Sequence, residues 1–402
     1  MNRLGTVRIG VDALRRCLEA GDELALLDVR EQGVHAQGHP FFAVSAPLSR
    51  LELLAPALLP RPGLPVVLLD GGDEDLAERA AEVLAGLGYR DIAVLDGGCA
   101  AWAEAGHEIF SGVNVPSKAF GEFIEHHDDT PRIPPAELQA MVDAGEPVLV
   151  LDARPLEEFH RMSIPGAINA PGAELAWRVH DLAPDPGTTV VVNCAGRTRS
   201  IIGCQSLRNA GLPNRVLALK DGTMGWELAG LQCERGSLRE APPPSAAGAA
   251  LARAAAQRVA DRFDVCFVDA QTVRDWLADD DRTTYLLDVR GPAEFRARHI
   301  AGSRNAPGGQ LVQATDEYIA ARTARVVLVD PELVRAVMTA SWLEQMGLPG
   351  VHVLRPEGED GFAGWTAAGE EATPATGPAW PGVEPTVLAG RLADPGVAVL
   401  DL

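Results

Sequence analysis

The sequence predicts an α/β protein built from a small doubly wound domain that is used three times. Three observations lead to this prediction: a strand motif that recurs along the chain, a shared order of helices and strands around it, and a constant spacing inside each copy. Apolar strands that alternate with helices form βαβ units, which produce a parallel sheet covered by helices on both faces. The right-handed crossover rule makes each copy doubly wound.

The recurring motif is an apolar run that ends in an aspartate, with an arginine two residues later. It stands at Leu26–Arg30, Val150–Arg154 and Leu286–Arg290, and its first residues return at Val399–Leu402. The copies are spaced roughly 110 to 140 residues apart, which suits a compact domain and is too long for a solenoid repeat. The repeat therefore predicts units one, two and three, and the start of a fourth.

Each copy has the same internal order of elements. A helical pattern precedes the motif, and a second apolar strand, a helix, a third apolar strand and a tryptophan follow it. A position just past the second strand lies 42 residues after the aspartate in every copy (28 to 70, 152 to 194, 288 to 330). The predicted first helices are Val11–Glu19, Pro135–Asp143 and Ala270–Ala278, and the predicted third strands are Ile92–Leu95, Val216–Leu219 and Val351–Leu354.

The repeat also sets the predicted domain boundaries. Unit one spans residues 1–110, unit two residues 132–235 and unit three residues 264–369, and residues 383–402 are predicted to begin an incomplete fourth unit. Clusters of proline, glycine and alanine predict linkers at 111–131, 236–263 and 370–382. Within the second linker, an alanine-rich helix is predicted over residues 246–260, after the three prolines that begin at Pro242.

Charge and composition exclude several classes of protein. A net charge of -21 and a pI near 4.8 repel phosphate backbones and anionic lipids, so we expect no nucleic-acid or membrane partner. No apolar run reaches the roughly 18 residues of a membrane helix, and no basic start with an apolar run predicts a secretion signal. The six cysteines show no paired spacing, which is typical of reduced thiols and predicts a cytoplasmic location.

The candidate for chemistry is the loop that follows the second strand of unit two. It reads Asn193-Cys194-Ala195-Gly196-Arg197-Thr198-Arg199-Ser200 and leads into a helix. A free thiol is only about 3% ionised at pH 7, but unpaired amides at a helix start and two arginines favour the thiolate. We therefore predict Cys194 as a nucleophile. The predicted anion-binding residues are Ala195, Gly196, Arg197, Thr198 and Arg199.

Together, these motifs resemble the rhodanese family of sulfurtransferases. The resemblance rests on the Asp-x-Arg strand end, the turns at Ile164–Ala167 and His299–Gly302, the cysteine loop and the closing glycine and tryptophan. It implies tandem rhodanese-like domains, each a small doubly wound parallel five-stranded sheet with helices on both faces. It also implies that Cys194 takes sulfur from a donor such as thiosulfate, becomes a persulfide and passes the sulfur to cyanide or a thiol. No cofactor and no metal are implied.

Three further residues of unit two are predicted to support the site. They are Asp152 and Arg154 of the strand motif, and Glu158, where some two-domain family members carry a substrate-binding arginine. The matching pairs Asp28/Arg30 and Asp288/Arg290 persist in units that lack a nucleophile. We therefore interpret Asp152/Arg154 as an ion pair that holds the fold beside the loop rather than as a catalytic pair.

Units one and three lack the thiol, because the position of Cys194 is held by Asp70 and Asp330. A carboxylate cannot form a persulfide. The unit-one loop continues Gly71-Gly72-Asp73-Glu74-Asp75, so acids replace both arginines of the unit-two loop. The unit-three loop begins Asp330-Pro331-Glu332-Leu333. We interpret it as one residue shorter than the unit-two loop, because one residue fewer separates Asp330 from the next strand. Both units are predicted to be structural or regulatory.

Several residues have a simpler interpretation. A buried core cysteine is the alternative for Cys194, but the flanking arginines and the helix start favour a catalytic thiol. Cys204 is interpreted as a packed helix cysteine rather than a resolving thiol. The cluster His126–Asp129 resembles a metal site, but adjacent ligands cannot all face one ion, so we interpret it as a solvated connector.

Two alternative functions stay open. A phosphatase or arsenate reductase would resemble Cys-x5-Arg, whereas four residues separate Cys194 from Arg199. A non-catalytic scaffold with Cys194 as a redox sensor fits the two units without nucleophiles. The predicted partners are a small anionic sulfur donor and a thiol or cyanide acceptor, and a homodimer is compatible with the sequence.

Overall fold

Three parallel five-stranded sheets form the framework of the chain, one in each predicted unit. The computed structural model describes residues 7–72, 75–358, 361–362 and 364–369. These belong to one compact unit, residues 1–369. The third predicted linker and the predicted fourth unit, residues 370–382 and 383–402, lie outside the described residues.

The strands of the three sheets follow one order. The first sheet consists of β1 (Val7–Ile9), β2 (Ala25–Asp28), β3 (Val44–Ser45), β4 (Val66–Leu69) and β5 (Ile92–Leu95). The second consists of β6 (Arg132–Ile133), β7 (Val148–Asp152), β8 (Ile168–Asn169), β9 (Thr189–Asn193) and β10 (Val216–Leu219). The third consists of β11 (Phe267–Val268), β12 (Thr284–Asp288), β14 (Arg304–Asn305), β15 (Arg325–Val329) and β16 (Val351–Leu354). Unit three also contains a short antiparallel pair, β13 (His299–Ile300) with β17 (Thr366–Ala367).

The sheet order explains which strands are apolar. The orders are β1-β5-β4-β2-β3, β6-β10-β9-β7-β8 and β11-β16-β15-β12-β14, so β4, β9 and β15 are central. All residues of β4 and β9 are buried. Because helices cover both faces of these strands, their sequences are continuous apolar runs without alternation.

Helices connect the strands of each sheet. Unit one contains α1 (Val11–Ala20), α2 (Gln32–His35), α3 (Leu51–Leu58), α4 (Leu76–Gly86) and α5 (Gly98–Glu104), and α6 (Val115–His127) leads to unit two. Unit two contains α7 (Pro135–Asp143), α8 (Leu156–Arg161), α9 (Glu174–Leu182), α10 (Thr198–Asn209) and α11 (Gly222–Leu228), and α12 (Ala246–Arg262) leads to unit three. Unit three contains α13 (Ala270–Leu277), α14 (Pro292–Ala297), α15 (Gly308–Gln313), α16 (Thr315–Tyr318) and α17 (Val334–Gln345).

The predicted fold class is confirmed in all three units. The predicted third strands coincide with β5, β10 and β16, and α1, α7 and α13 match the predicted first helices within one residue. The outer strands could not be located from the sequence. Strands β3, β6, β8, β11 and β14 have only two residues each, too few for a hydrophobic period to show.

The first two predicted linkers are largely helical. Helix α12 matches the predicted alanine-rich segment, and the side chain of its N-cap, Ser245, accepts a hydrogen bond from the amide of Gly248 at 3.0 Å. Helix α6 was not predicted, although buried Phe120 and Ile124 lie four residues apart on one face of it. Helix α6 packs on α10 of unit two, and α12 packs on α9 of unit two and on α17 of unit three.

Units two and three contact each other through their backbones. A Cβ built on Gly172 would lie 2.1 Å from the Cα of Gly309, so neither position tolerates a side chain without a shift of the chain. Unit one contacts unit three through Tyr285, whose hydroxyl donates a hydrogen bond to the carbonyl of Leu58 at 2.7 Å. In the part of the chain that the structure describes, no helix has both the length and the hydropathy of a membrane-spanning segment.

Candidate active site

Cys194 lies directly after the central strand β9, at the carboxyl edge of the second sheet. Open α/β sheets bind their ligands at this edge. The amide and the hydroxyl of Thr223, in α11, donate hydrogen bonds to the Cys194 carbonyl at 2.8 and 2.9 Å. The approach requires Gly222, because a Cβ there would lie 2.3 Å from that carbonyl oxygen. The start of α11 therefore fixes the backbone of the cysteine.

The loop from Cys194 to α10 presents unpaired amides. Residues Ala195, Gly196 and Arg197 separate β9 from α10, and their amides have no acceptor among the described residues. Arg197 is the N-cap of α10, but its side chain does not cap the helix. Unpaired amides and the partial positive charge of a helix start together favour a bound anion.

The two units without the thiol show what this loop can hold. In unit one, the carboxylate of Asp70 accepts hydrogen bonds from the amides of Gly72 at 2.9 Å and Ala77 at 3.1 Å. In unit three, the carboxylate of Asp330 accepts from Glu332 at 3.2 Å and Arg335 at 2.8 Å. Each aspartate stands at the position of Cys194, so its negative group fills the loop of its own unit.

Unit three also contains the counterpart of Arg199. Arg335 is the second residue of α17, as Arg199 is the second residue of α10, and each lies five residues after the nucleophile position. The Nη2 of Arg335 donates to Oδ1 of Asp330 at 3.0 Å. The interpretation of a shorter unit-three loop was wrong, because the one-residue difference falls after the helix, between α17 and β16.

Arg199 is bound by Glu158, as Arg335 is bound by Glu294 in unit three. The two guanidinium nitrogens of Arg199 donate to the Glu158 carboxylate at 2.7 and 2.8 Å. Burial lowers the pKa of Arg199, but the hydrogen bonds and charge of Glu158, followed by the charge of Cys194, outweigh it and raise this pKa. Arg199 therefore holds the place in unit two that Arg335, which contacts Asp330, holds in unit three.

Arg197 does not have the predicted position. Its Nε donates to Glu125 at 2.6 Å and its Nη1 to Glu122 at 3.0 Å, and both carboxylates belong to α6. The prediction that Arg197 supplies a free positive charge to the thiol was wrong for this reason. The helix that binds it lies in a segment interpreted as a linker, and a Cβ on Gly121 of that helix would lie 2.8 Å from Cγ2 of Thr198.

The Asp152/Arg154 pair is buried beneath the loop. The guanidinium of Arg154 donates to the Asp152 carboxylate at 2.9 and 2.8 Å and to the carbonyl of Met162 at 2.6 Å. The corresponding arginines of units one and three, Arg30 and Arg290, make the same three contacts. Since these contacts recur where no thiol exists, the geometry fits the role of an ion pair that holds the fold.

The sequence analysis missed two residues that connect this pair to Cys194. The amide nitrogen of Asn193 donates to Asp152 at 2.7 Å and to the Thr223 hydroxyl at 3.2 Å. Asn193 and Thr223 are both buried. A signal was present, because Asn193 is a polar end to an apolar strand, whereas Leu69 and Val329 hold its place in the other units.

Cys194 is itself buried, with 1% of its surface exposed. This burial agrees with the alternative of a core cysteine, against which the flanking arginines and the helix start were weighed. Arg197 points to α6, and the start of α11 lies against the cysteine backbone. What distinguishes Cys194 from a core cysteine is its place beside Arg199 and an unpaired loop, and not its exposure.

The other buried cysteines lie in apolar surroundings. Burial raises the pKa of Cys204 to about 12, and burial followed by the charge of Asp28 raises the pKa of Cys99 to about 12. Such thiols are protonated at neutral pH and are poor nucleophiles. The interpretation of Cys204 as a packing residue agrees with its place on the buried side of α10, in the apolar core. Among the described residues, no group of His, Cys, Asp and Glu could hold a metal ion, and His126 and His127 are exposed.

Cys204→Ala is expected to leave sulfur loading of Cys194 within about twofold of the native rate, since a thiol with so high a pKa cannot resolve a persulfide. The measurement is the rate at which the intact chain gains sulfur mass, with a melting curve to confirm folding. A folded variant that loads normally but no longer releases its sulfur to a thiol would show that Cys204 is a resolving residue.

Glu158→Gln is expected to speed loading from thiosulfate by about threefold to tenfold at pH 7, since it frees the charge of Arg199 for the donor. Burial raises the pKa of Glu158, but the hydrogen bonds and charge of Arg199 outweigh it and lower this pKa. The ratio of variant to native rates should approach one as the pH falls through this lowered pKa, because protonation then removes the same charge. Slower loading by a folded variant at pH 7 would contradict the competition between Glu158 and the donor.

Comparisons with known proteins find matches along most of the chain. A family model described as Rhodanese-like domain matches residues 11–105, 134–229 and 269–368. The crystal structure of a thiosulfate sulfurtransferase from Pseudomonas aeruginosa is similar, with a TM-score of 0.89 and 50% identity. That comparison covers 97% of this chain and 74% of the other.

Two curated relatives match shorter parts of the chain. A putative thiosulfate sulfurtransferase of Mycobacterium tuberculosis is 30% identical over 211 residues, which are 44% of this chain and 74% of that protein. An HTH-type transcriptional regulator of the same species is 42% identical over 103 residues, which are 25% of this chain and 44% of the regulator.

Proposed function

This chain belongs to the rhodanese-like domain family, and from that premise we propose that it is a sulfurtransferase whose unit two carries sulfane sulfur on Cys194. Units one and three hold Asp70 and Asp330 at the nucleophile position and take no part in the sulfur chemistry. Sulfur transfer is the activity that the family match and the similarity to the two thiosulfate sulfurtransferases support.

The proposed reaction has two steps. The thiolate of Cys194 attacks the outer sulfur of a donor such as thiosulfate, the bond between the two donor sulfurs breaks, and sulfite leaves with the bonding electron pair. The outer sulfur of the resulting persulfide is then attacked by cyanide or an acceptor thiolate, which releases thiocyanate or a new persulfide and restores the Cys194 thiolate. Neither step needs an oxidant, a metal or a cofactor.

The observation that carries this proposal is the pair of carboxylates in units one and three. Asp70 and Asp330 each direct negative oxygens at loop amides, and Arg335 adds a guanidinium contact in unit three. The unit-two loop begins at the same point after its central strand and has Arg199 where unit three has Arg335, but it holds a cysteine instead of the aspartate. Its loop is therefore suited to a negative group one atom beyond the cysteine sulfur, which is where a persulfide ends.

Within this proposal, Ala195, Gly196, Thr198 and Arg199 bind the donor and the persulfide. The side chain of Arg197 is bound by α6 and does not contact the donor, so only its backbone amide is available to the anion. Because Cys194 is 1% exposed, we expect small anionic donors and cyanide or small thiols as acceptors. The cytoplasmic location and the homodimer stay predictions.

The test is incubation of the intact chain with thiosulfate, followed by mass measurement and then by cyanide. We expect a gain of one sulfur atom and its release as thiocyanate over repeated turnovers. No gain with thiosulfate, 3-mercaptopyruvate or a small persulfide would support the scaffold with a redox-sensing cysteine instead. Hydrolysis of an aryl phosphate faster than turnover of thiosulfate would support a phosphatase.

A further inference from the structure

A cavity that does not include Cys194 lies where unit one, α6 and unit three meet. Its volume is about 280 Å³. Four phenylalanines, two from unit one and two from α6, contribute to its wall: Phe41, Phe42, Phe120 and Phe123. We propose that this cavity binds a small organic monocarboxylate with a single apolar ring, whose carboxylate is held by Arg322 and whose ring packs among these phenylalanines.

The size and lining of the cavity set the upper limit on the ligand. An apolar cavity of about 150 Å³ accommodates benzene, and sites for drug-sized ligands usually start at about 300 Å³. A cavity of about 280 Å³ therefore has room for one ring with a short polar substituent and is smaller than the usual site for a drug-sized ligand. Aromatic walls favour a flat ligand, since ring pairs gain from offset and edge-to-face contacts.

Arg322 supplies the charge that the ligand must match. Its guanidinium carbon lies 3.4 Å from the ring centroid of Phe42, at the wall of the cavity. Burial lowers the pKa of Arg322, and no carboxylate pairs with it among the described residues. Two other partly buried arginines are paired with carboxylates, Arg61 with Glu23 and Arg178 with Glu174. An unpaired guanidinium in an apolar wall is unfavourable, and a ligand carboxylate would compensate it.

The second charged residue of the cavity does not neutralise Arg322. Asp316 also contributes to the wall, but it makes no ion pair with Arg322. Burial raises the pKa of Asp316, and the opposing charges that act on it are those of His35, His39 and Lys118. The positive charge of Arg322 is therefore left for an occupant of the cavity.

This proposal is independent of sulfur transfer. None of the residues from Cys194 to Arg199 contributes to the wall, so a ligand bound there is not a sulfur donor. Cys194→Ser should accordingly bind the ligand as the native chain does, and the result holds whether or not Cys194 forms a persulfide.

The test is calorimetric titration of the full chain with benzoate and with benzamide, its neutral counterpart of the same shape. We expect saturable binding of one benzoate, and affinity for benzamide at least about tenfold weaker, since a charge-assisted contact is lost. Arg322→Gln should weaken benzoate binding by about the same factor and leave benzamide binding unchanged. Arg50→Gln, at an exposed arginine outside the cavity, is the matched control and should bind benzoate normally.

A third variant keeps the test decisive if Arg322→Gln does not fold. Ala119 is an exposed residue of α6 at the cavity wall, and Ala119→Trp should fill the space and abolish binding of both compounds. Equal affinity for benzoate and benzamide, unchanged benzoate binding in Arg322→Gln or Ala119→Trp, or no saturable binding of benzoate or phenylacetate would each overturn the proposal.

Discussion

Arg199→Ala is expected to slow sulfur loading of Cys194 by about 10²-fold or more and to move the pH profile of loading to higher pH. Removing one preorganised donor to a developing anion has effects of about 10²- to 10³-fold in other enzymes. Unit three shows the contact in question, because Nη2 of Arg335 donates to the carboxylate of Asp330 at 3.0 Å. In the proposed function, Arg199 is the cation that does the same for sulfur in unit two.

The measurement is a single-turnover series in which loading with thiosulfate is stopped by acid and read as intact mass at several pH values. Arg208→Ala is the matched control, since Arg208 is an exposed arginine in the last turn of the same helix. It should load at the native rate. An unchanged rate and pH profile in folded Arg199→Ala would show that the loop amides alone hold the anion.

Arg335→Ala is expected to lower the free energy of unfolding by about 3 to 5 kcal/mol. Arg335 is 1% exposed and pairs with Asp330, Glu294 and Glu174, the last of which belongs to unit two. Without the guanidinium, buried carboxylates lose their counter-charge, and removal of one partner from a buried ion pair costs this much. The variant should also weaken the contact between units two and three.

Urea denaturation of the full chain measures this effect, with the exposed pair Arg253–Glu332 as control. Arg253→Ala should change the free energy of unfolding by less than about 1 kcal/mol. The double variant Arg335→Ala/Asp330→Asn should be more stable than the sum of the single changes predicts, because it leaves neither charge of the Asp330–Arg335 pair buried without its partner. Additive effects would mean that the two residues do not interact.

The Asp330–Arg335 pair also predicts the direction of a pH effect on stability. Burial raises the pKa of Asp330, but the charge and hydrogen bonds of Arg335 outweigh it, so the pKa is lower in the folded chain than in the unfolded one. Its contribution to stability is therefore complete above the ordinary aspartate pKa and is lost as the pH falls through the lowered value. Arg335→Ala should remove this part of the acid dependence.

Much of this architecture could be predicted because the same domain recurs three times in the chain, so its copies can be compared with one another. The recurring strand motif located the three units, and the family match to residues 11–105, 134–229 and 269–368 confirms the resemblance drawn from it. The 42-residue spacing from Asp152 to Cys194, shared by the other two units, led to the prediction of Cys194 as the nucleophile, which stays a prediction. Spacing of this kind survives in the sequence because it reflects the path of the chain through one sheet.

Other features of the site depend on distant residues, so local patterns could not reveal them. Arg197 was predicted to face the thiol, but Glu122 and Glu125 bind it from a helix more than seventy positions earlier. Nothing in the sequence around Arg335 indicates its role. That role follows from its contact with Asp330, to which it has the same spacing as Arg199 has to Cys194. The packing of the helices decides which carboxylate pairs with each arginine. Helix α6 was not predicted because its segment shows little hydrophobic periodicity.

The proposed chemistry depends most on which residue holds the transferred sulfur atom. After thiosulfate treatment of the full chain, proteolysis without reductant and mass mapping should find one added sulfur, on the peptide that contains Cys194. The same treatment of Cys194→Ser should add none. Sulfur on the exposed Cys266 or on any other cysteine, or an equal gain in Cys194→Ser, would contradict a persulfide held by the loop of unit two.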